Sequence, residues 1–525
     1  MGMFFNPDNS IFQTDSTDAI YVDKTGLLVE LNKVICTGRC CIALSHARRF
    51  GKTQAAGMIE AYYSCGCASK ELFAEFAVAA SRDFEKHLNK YNVLHLDIAS
   101  VMDFHKEDVV GECIRRICGD IKEVFGQEID YSKDITQILN AVYKITQKKF
   151  VIILDEWDCV IRNCSDRADL VHQYLQFLHA LFKSTESRRY LALGYITGIL
   201  PIKKVRDESA LNNFREYTMI ESDQFTPYFG FTEDEVYELC VKYGMNYDSV
   251  KEWYDGYSIS GRHMYNPNSV YEAMQRRRLA YYWKNTSSFE TINDFITLDM
   301  DGLKEDILYM LEGNRVFVET GTFKNDLVSI GTKDEALTAL IHLGYLGYDV
   351  EKSEAFIPNF EVAMAFQSAL ANGNWKQIAT TISKCQELLN ATLRQDAQRV
   401  AELVELAHDA YASVLEYNNE NALSCAVTMA YFTAPAYYNV IREFPSGKGF
   451  ADIVMLPRAD AKGKPALVIE LKWDQSADTA IKQIKERRYA GSLTGFAGEV
   501  LLVGISYDKD DRNKRHHCVI ENFSQ

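Results

Sequence analysis

Apolar positions along this chain fall into blocks of different period, and the first third alternates strand-like with helix-like blocks. Residues 17–25 read as a short strand and turn leading into a helix over Gly26–Lys33. An apolar run (Val34, Ile35, then Ile42, Ala43 and Leu44) feeds a polar loop, and a helical pattern follows from Ala55 to Tyr63. Ser69–Glu85 is amphipathic, Tyr91–Ile98 alternates as a strand, and Lys106–Val124 reads as a charge-rich helix. Phe150–Leu154 is apolar without interruption and ends in Asp155 and Glu156. A run of that kind suits a central parallel strand buried on both faces. Tyr190–Ile199 gives a third strand and carries Thr197 near its end.

Further along, the pattern shifts. From Phe225 to about Tyr348 it shows short amphipathic helices with turns. Thr232 with Glu235 has the spacing of a capping box, and Thr332 with Glu335 repeats it ahead of a helix over Thr332–Leu346. Trp253–Tyr257 and Tyr265–Ser269 are aromatic turn segments, and Arg276–Arg278 is a charge run suited to a solvated helix end. A polar connector, Glu351–Glu354, suggests a boundary, after which residues 360–430 are helical and rich in alanine. Two strands follow, Gly449–Leu456 and Ala466–Trp473, joined by a turn over Pro457–Pro465, and then a helix carrying Gln483. The expected division is 1–224, 225–350 and 351–525.

Composition narrows the class without naming a function. The 525 residues are too many for one core, and 47% hydrophobic with 25% charged is ordinary for a globular protein. No apolar run approaches the about 20 residues of a membrane helix, and the first residues have no signal-peptide pattern. A net charge of −16 argues against nonspecific coating of nucleic acid, though a local basic groove remains compatible with it. The thirteen cysteines lack paired zinc-site spacing and read as reduced thiols of a cytoplasmic protein.

Candidate chemistry begins at Ser45–Thr53. Gly51-Lys52-Thr53 opens a helix, and a helix N-terminus offers free N–H groups and the positive end of its dipole to phosphate. Lys52 would reach the outer phosphates of ATP and Thr53 would ligate Mg²⁺. The pattern G-x-x-x-x-G-K-[ST] wants glycine at position 46, where this chain has His46. Asp155 and Glu156 lie where ligands bind in open α/β sheets: Asp155 would hold Mg²⁺ and Glu156 would polarise the attacking water. Thr197 would sense the γ-phosphate. One strand lies between loop and acid pair, which fits a P-loop sheet with an added strand and helices on both faces.

Ser45–Thr53, Leu154-Asp155-Glu156 and Thr197–Lys204 together resemble the AAA-ATPase-like family of bacterial proteins, whose members tend to carry Arg-Arg-Phe-Gly-Lys-[Ser/Thr] and often lack the first loop glycine. The aromatic segments of the middle region match it too. By that resemblance Arg49 and Gly51 join Lys52, Thr53, Asp155 and Thr197 around the nucleotide.

The last two strands carry a second constellation. Glu470 and Lys472 share one face by the two-residue period of a strand, and burying them is costly unless they serve a site. Asp452 on the partner strand can join them. Asp452 and Glu470 would hold one or two Mg²⁺ ions, and Lys472 would orient or activate water against a phosphodiester. Lys482, Lys485, Arg487 and Arg488 offer phosphate contacts.

Asp452, Glu470 and Lys472 in that order resemble the PD-(D/E)XK nuclease superfamily. The resemblance implies a restriction-endonuclease-like α/β fold, an acid on the first helix matched by Glu420 as a further metal ligand, and a helix glutamine matched by Gln483. An ATP-binding, ATP-hydrolysing protein coupled to a Mg²⁺-dependent nuclease-like domain is the expectation. Its partner would be nucleic acid, DNA ahead of RNA, with no membrane and a homo-oligomer left open. The alternative is an ATP-driven switch or scaffold that binds nucleic acid or a partner without cutting.

Overall fold

The computed structural model describes all residues except 1, 165, 203–210, 284–299, 301, 312, 324–329, 373–375, 416–419, 432–433, 435–436, 447–448, 459–460, 462, 488–497, 509–515 and 524–525. At some further positions, Glu420 among them, only the backbone is described. Lys203, Lys204 and Arg488 lie outside the described residues. The chain divides into two compact units, Met1–Trp283 with Val316–Val362 and Lys284–Arg315 with Ala363–Gln525.

The first unit is built on five strands, β1 (Cys41–Ser45), β2 (Asn92–Asp97), β3 (Phe150–Asp155), β4 (Leu191–Gly198) and β5 (Arg215–Thr218). They run parallel in the order β2-β3-β4-β1-β5. The unbroken apolar run of β3 is explained by its two covered faces. Phe150, Ile152 and Leu154 pack into one hydrophobic core while Val151 and Ile153 pack into the other. The same holds in β1, where Cys41 and Ala43 face one core and Ile42 and Leu44 the other. Burial on both sides is what a parallel sheet with helices on each face requires. β2, which lies between the two motifs in sequence, sits at the sheet edge. In space the strand between the loop-bearing β1 and the acid-bearing β3 is β4.

Some expected elements differ in detail. Residues 17–25 form turns and irregular backbone rather than a strand. Ser69–Glu85 breaks into Lys70–Phe73, a 3₁₀ turn Ala77–Ala80 and the start of Phe84–His87, because its buried Phe73, Val78 and Phe84 turn inward from separate short pieces. The middle region adds two small antiparallel sheets to its helices. One joins β6 (Phe231–Thr232), β7 (Tyr257–Ile259) and β8 (Arg262–Tyr265); the other joins β9 (Val316–Phe317), β10 (Gly347–Asp349) and β11 (Glu354–Phe356). Residues 351–353 are the turn between β10 and β11. The Thr232–Glu235 capping box is present in full on helix Glu233–Tyr243. At helix Lys333–His342 Thr332 caps Glu335, whose carboxylate takes the Gly331 N–H instead.

The second unit holds a mixed sheet in the order β12 (Tyr438–Ser446), β13 (Gly449–Pro457), β14 (Ala466–Trp473), β15 (Val500–Tyr507) and β16 (His516–Phe523). Only the β14–β15 pair is parallel. Helix Ala477–Glu486 connects that pair, and its Ile481 and Ile484 pack on Ala466, Val468, Val500 and Leu502. Gly504 lets the helix close: a Cβ there would stand 2.5 Å from the Ala477 carbonyl. Helices Lys376–Leu393, Ala397–Leu415 and Glu420–Ala430 pack with one another, with Ala397–Leu415 against β16 and Glu420–Ala430 against β14. Among the described residues no helix is long and apolar enough to cross a membrane, and the described cysteines are free thiols.

Candidate functional site

Parallel pairing brings the ends of β1, β3 and β4 to one edge of the first sheet. Ser45 pairs with Gly198 and Leu154 with Ile196, so Asp155 and Thr197 end side by side next to the loop that leaves β1. The loop turns into helix Lys52–Tyr63 through Gly51 at φ 86°, a left-handed conformation in which a side chain would be strained. Arg49 also has positive φ, 66°, and is exposed with Nη1 donating to Asn268 Oδ1 at 2.8 Å. No side chain caps the helix start.

Lys52 is buried, and its ammonium donates to the carbonyls of His46 and Ala47, both at 2.9 Å. Burial lowers its pKa, while Glu156, Asp155 and Asp158 act to raise it. Thr53 occupies the second helical position and is exposed. His46, the departure from the glycine pattern, is a fully buried anchor: its Nε2 hydrogen-bonds Ser222 Oγ at 2.8 Å and its ring stacks on Phe229 with centroids 4.9 Å apart. Burial and the Lys52 charge push its pKa down to about 3, so it is neutral. The loop thus starts from a side chain rooted in the core.

At the strand ends Thr197 Oγ1 donates to Asp155 Oδ1, which also takes the Glu156 N–H at 3.0 Å. Glu156 adopts φ 53° and is half-buried. Burial raises its pKa, with Asp158 and Asp155 adding to that and Lys52 and Arg162 opposing it. Two residues that the motif reading passed over complete the arrangement. Arg162 Nη2 donates to Glu156 Oε2 and its Nε to Asp158 Oδ2, each at 2.8 Å. Asp158 Oδ2 also accepts the Ile199 and Leu200 N–H groups at 3.2 and 2.9 Å. Asp158 and Arg162 stand four apart across the start of a helix, a spacing that pairs opposite charges and was visible in the sequence.

In the second unit Glu470 and Lys472 do share a face of β14. Lys472 Nζ donates to Glu470 Oε1 at 3.1 Å, and Gln483 Nε2 donates to the same oxygen. Asp452 on β13 accepts the Leu471 N–H at 2.7 Å, and its charge acts on Glu470. Burial is the main reason that Glu470 has a raised pKa, with Asp452 adding to it and Lys472 opposing it. Glu470 Oε2 is buried without a hydrogen-bond partner. A buried carboxylate oxygen of that kind, beside a second carboxylate, is a donor set that fits a hard divalent cation. Among the described residues no three His, Cys, Asp or Glu side chains gather around a cation position. Glu420 opens helix Glu420–Ala430, and its side chain lies outside those described. Lys482 and Lys485 on the following helix pair with Glu486 and Glu521 and stay largely exposed.

Comparison with known proteins finds two different families along the chain. Residues 11–206 match the family described as predicted AAA-ATPases, and residues 418–517 match the PD-(D/E)XK nuclease superfamily. An uncharacterised protein from the vnfD 5′ region of Azotobacter chroococcum mcd 1 is 21% identical over 523 residues, 95% of each chain. A solved structure, that of the Aeropyrum pernix ORC2 protein in ADPNP-ADP complexes, overlays with a TM-score of 0.28 at 13% identity, covering 70% of this chain and 100% of that one. A likeness that loose bears on neither fold nor function. Residues 11–206 therefore form an AAA-ATPase-like domain, and residues 418–517 a domain of the PD-(D/E)XK nuclease superfamily.

Proposed function

We propose that the protein binds and hydrolyses ATP in its first unit and cleaves a nucleic acid, DNA ahead of RNA, in a Mg²⁺-dependent step in its second. The observation that carries the first half is the meeting of Lys52, Asp155, Glu156 and Thr197 at one sheet edge from three separate segments of the chain. Lys52 and the uncapped helix start would bind the phosphates, with Arg49 beside them. Thr53 and Asp155 would hold Mg²⁺, which when bound neutralises developing charge on the phosphates. Glu156 would accept a proton from the attacking water, and its burial-raised pKa brings it nearer the range of a working base. Thr197 would hold Asp155 in place.

In the second unit Asp452 and Glu470 would hold Mg²⁺, with Glu420 as a further ligand, and the bound ion would polarise a phosphodiester and its attacking water. Lys472 would neutralise charge at the scissile phosphate. A reading as an ATP-driven switch or scaffold draws on one observation: Lys472 and Gln483 both turn their donors onto Glu470 Oε1. Incubating the purified protein with DNA and Mg²⁺ or Mn²⁺, with and without ATP, tests the proposal. Cleavage lost in Lys472→Ala supports it; a wild type that binds DNA and never cuts it supports the switch.

A further inference from the structure

We propose that Arg162 is a positioning residue for Glu156, holding the carboxylate of the general base with one limb of its guanidinium while the other limb is fixed on Asp158. The proposal rests on the reading of Glu156 as the base for ATP hydrolysis.

Four features of the geometry carry it. The Arg162 side chain is 9% exposed and contacts two different carboxylates at 2.8 Å, Glu156 through Nη2 and Asp158 through Nε. A guanidinium is a planar fork of fixed donors, so anchoring one limb sets the direction of the other. The anchor is firm. Asp158, 1% exposed, also takes the Ile199 and Leu200 N–H groups, which directly follow the strand that carries Thr197. Gly198 leaves no slack between these parts, since a Cβ there would lie 2.6 Å from Asp158 Oδ1 and 2.8 Å from the Trp157 ring. Trp157, between the two acids, donates its backbone N–H to the Thr197 carbonyl at 2.9 Å and accepts the Tyr174 hydroxyl at its own carbonyl at 2.8 Å.

Glu156 is therefore tied to the tip of β4 twice, through the backbone at Trp157 and through Arg162 and Asp158. Asp155 is tied to the same tip through Thr197. One rigid unit holds the carboxylate assigned to the metal and the carboxylate assigned to the water. Orientation of that order lowers a barrier without changing how tightly the substrate binds.

The test measures ATP turnover by the full chain carrying Arg162→Ala or Arg162→Lys, each alone and combined with Glu156→Gln. Arg162→Ala should lower kcat by about tenfold or more with KM within about twofold, as expected for a lost transition-state alignment. Arg162→Lys should recover part of the rate. In the Glu156→Gln background Arg162→Ala should cause no further loss, because the residue acts through Glu156. Equal losses in both backgrounds, or a raised KM with kcat intact, would overturn the proposal while leaving the ATPase reading in place. Should Arg162→Ala fail to fold, Arg162→Lys decides on the same criteria. Glu156→Gln turning over ATP like wild type would instead overturn the reading of Glu156 as the base, and a wild type without ATP turnover would overturn the ATPase reading itself.

Discussion

The two sites are assembled in opposite ways. In the first unit, residues 46, 52, 155, 156, 158, 162 and 197 come together only because parallel strands far apart in sequence end at one edge. Their charges are then largely satisfied by one another: Lys52 by loop carbonyls, Asp155 by Thr197, and Glu156 and Asp158 by Arg162. In the second unit, Asp452, Glu470, Lys472 and Gln483 come from two adjacent strands and the helix after them, and one carboxylate oxygen stays buried without a partner. A site built from long-range topology depends on the whole sheet, while one built from neighbouring elements depends on local register. The contrast predicts that changes at the first site spread through its network, and that changes at the second stay confined to cleavage.

The largest expected effect is on ATP hydrolysis. Glu156→Gln should lower kcat for ATP by about 10²–10⁴-fold while nucleotide binding persists, as measured by phosphate release beside equilibrium binding of a fluorescent ATP analogue. Lys472→Ala should reduce Mg²⁺-dependent DNA cleavage to background on a gel and leave ATP turnover unchanged. If either change affects both activities, the sites are not separable in the way their construction implies.

A smaller effect is expected at the loop. His46→Gly restores the glycine of the usual pattern, yet it removes a buried ring, its hydrogen bond to Ser222 and its stacking on Phe229. It should cost about 2 kcal/mol or more of stability and should not tighten ATP binding, as read by thermal melting and titration. A gain in affinity with no loss of stability would mean that His46 is a defect and not an anchor.

The smallest effect is a pH dependence in the first unit. Glu361 is buried, accepts the Tyr282 and Trp283 N–H groups at 2.7 and 3.0 Å, and has its pKa raised by that burial from 4.5 to about 7. The folded state holds this proton more tightly than the unfolded chain. The stabilisation is complete below pH 4.5 and is lost as pH rises through about 7. Glu361→Gln should therefore melt at a higher temperature than wild type above that pH and close to it at pH 4.5. Parallel melting curves of the two proteins across the range would reject the assignment.

Much of the first sheet was legible in the sequence because each central strand is an unbroken apolar run with a chemical marker at its end. Phe150–Leu154 before Asp155 is the clearest case. The order of strands was not legible in the same way, since nothing in β2 or β4 alone says which lies at the edge. The small sheets of the middle region were missed because strands of two to four residues are too short to establish a period. Ser69–Glu85 reads as one amphipathic stretch although three short helical pieces share it. At the sites, Lys52, Asp155, Glu470 and Lys472 were marked by residue type and spacing, whereas for Arg162 only its pairing with Asp158 was, because its contact with Glu156 depends on that residue turning at φ 53° to meet it. His46 looked anomalous only because its partners, Ser222 and Phe229, lie far along the chain.

The most direct test of two separate active sites is to measure ATP turnover and Mg²⁺-dependent DNA cleavage on the same preparations of wild type, Glu156→Gln and Lys472→Ala. Glu156→Gln should lose ATP turnover, Lys472→Ala should lose cleavage, and Lys472→Ala should hydrolyse ATP at the wild-type rate. Cleavage that survives Lys472→Ala, or ATP turnover that survives Glu156→Gln, would contradict two separate active sites built on these residues.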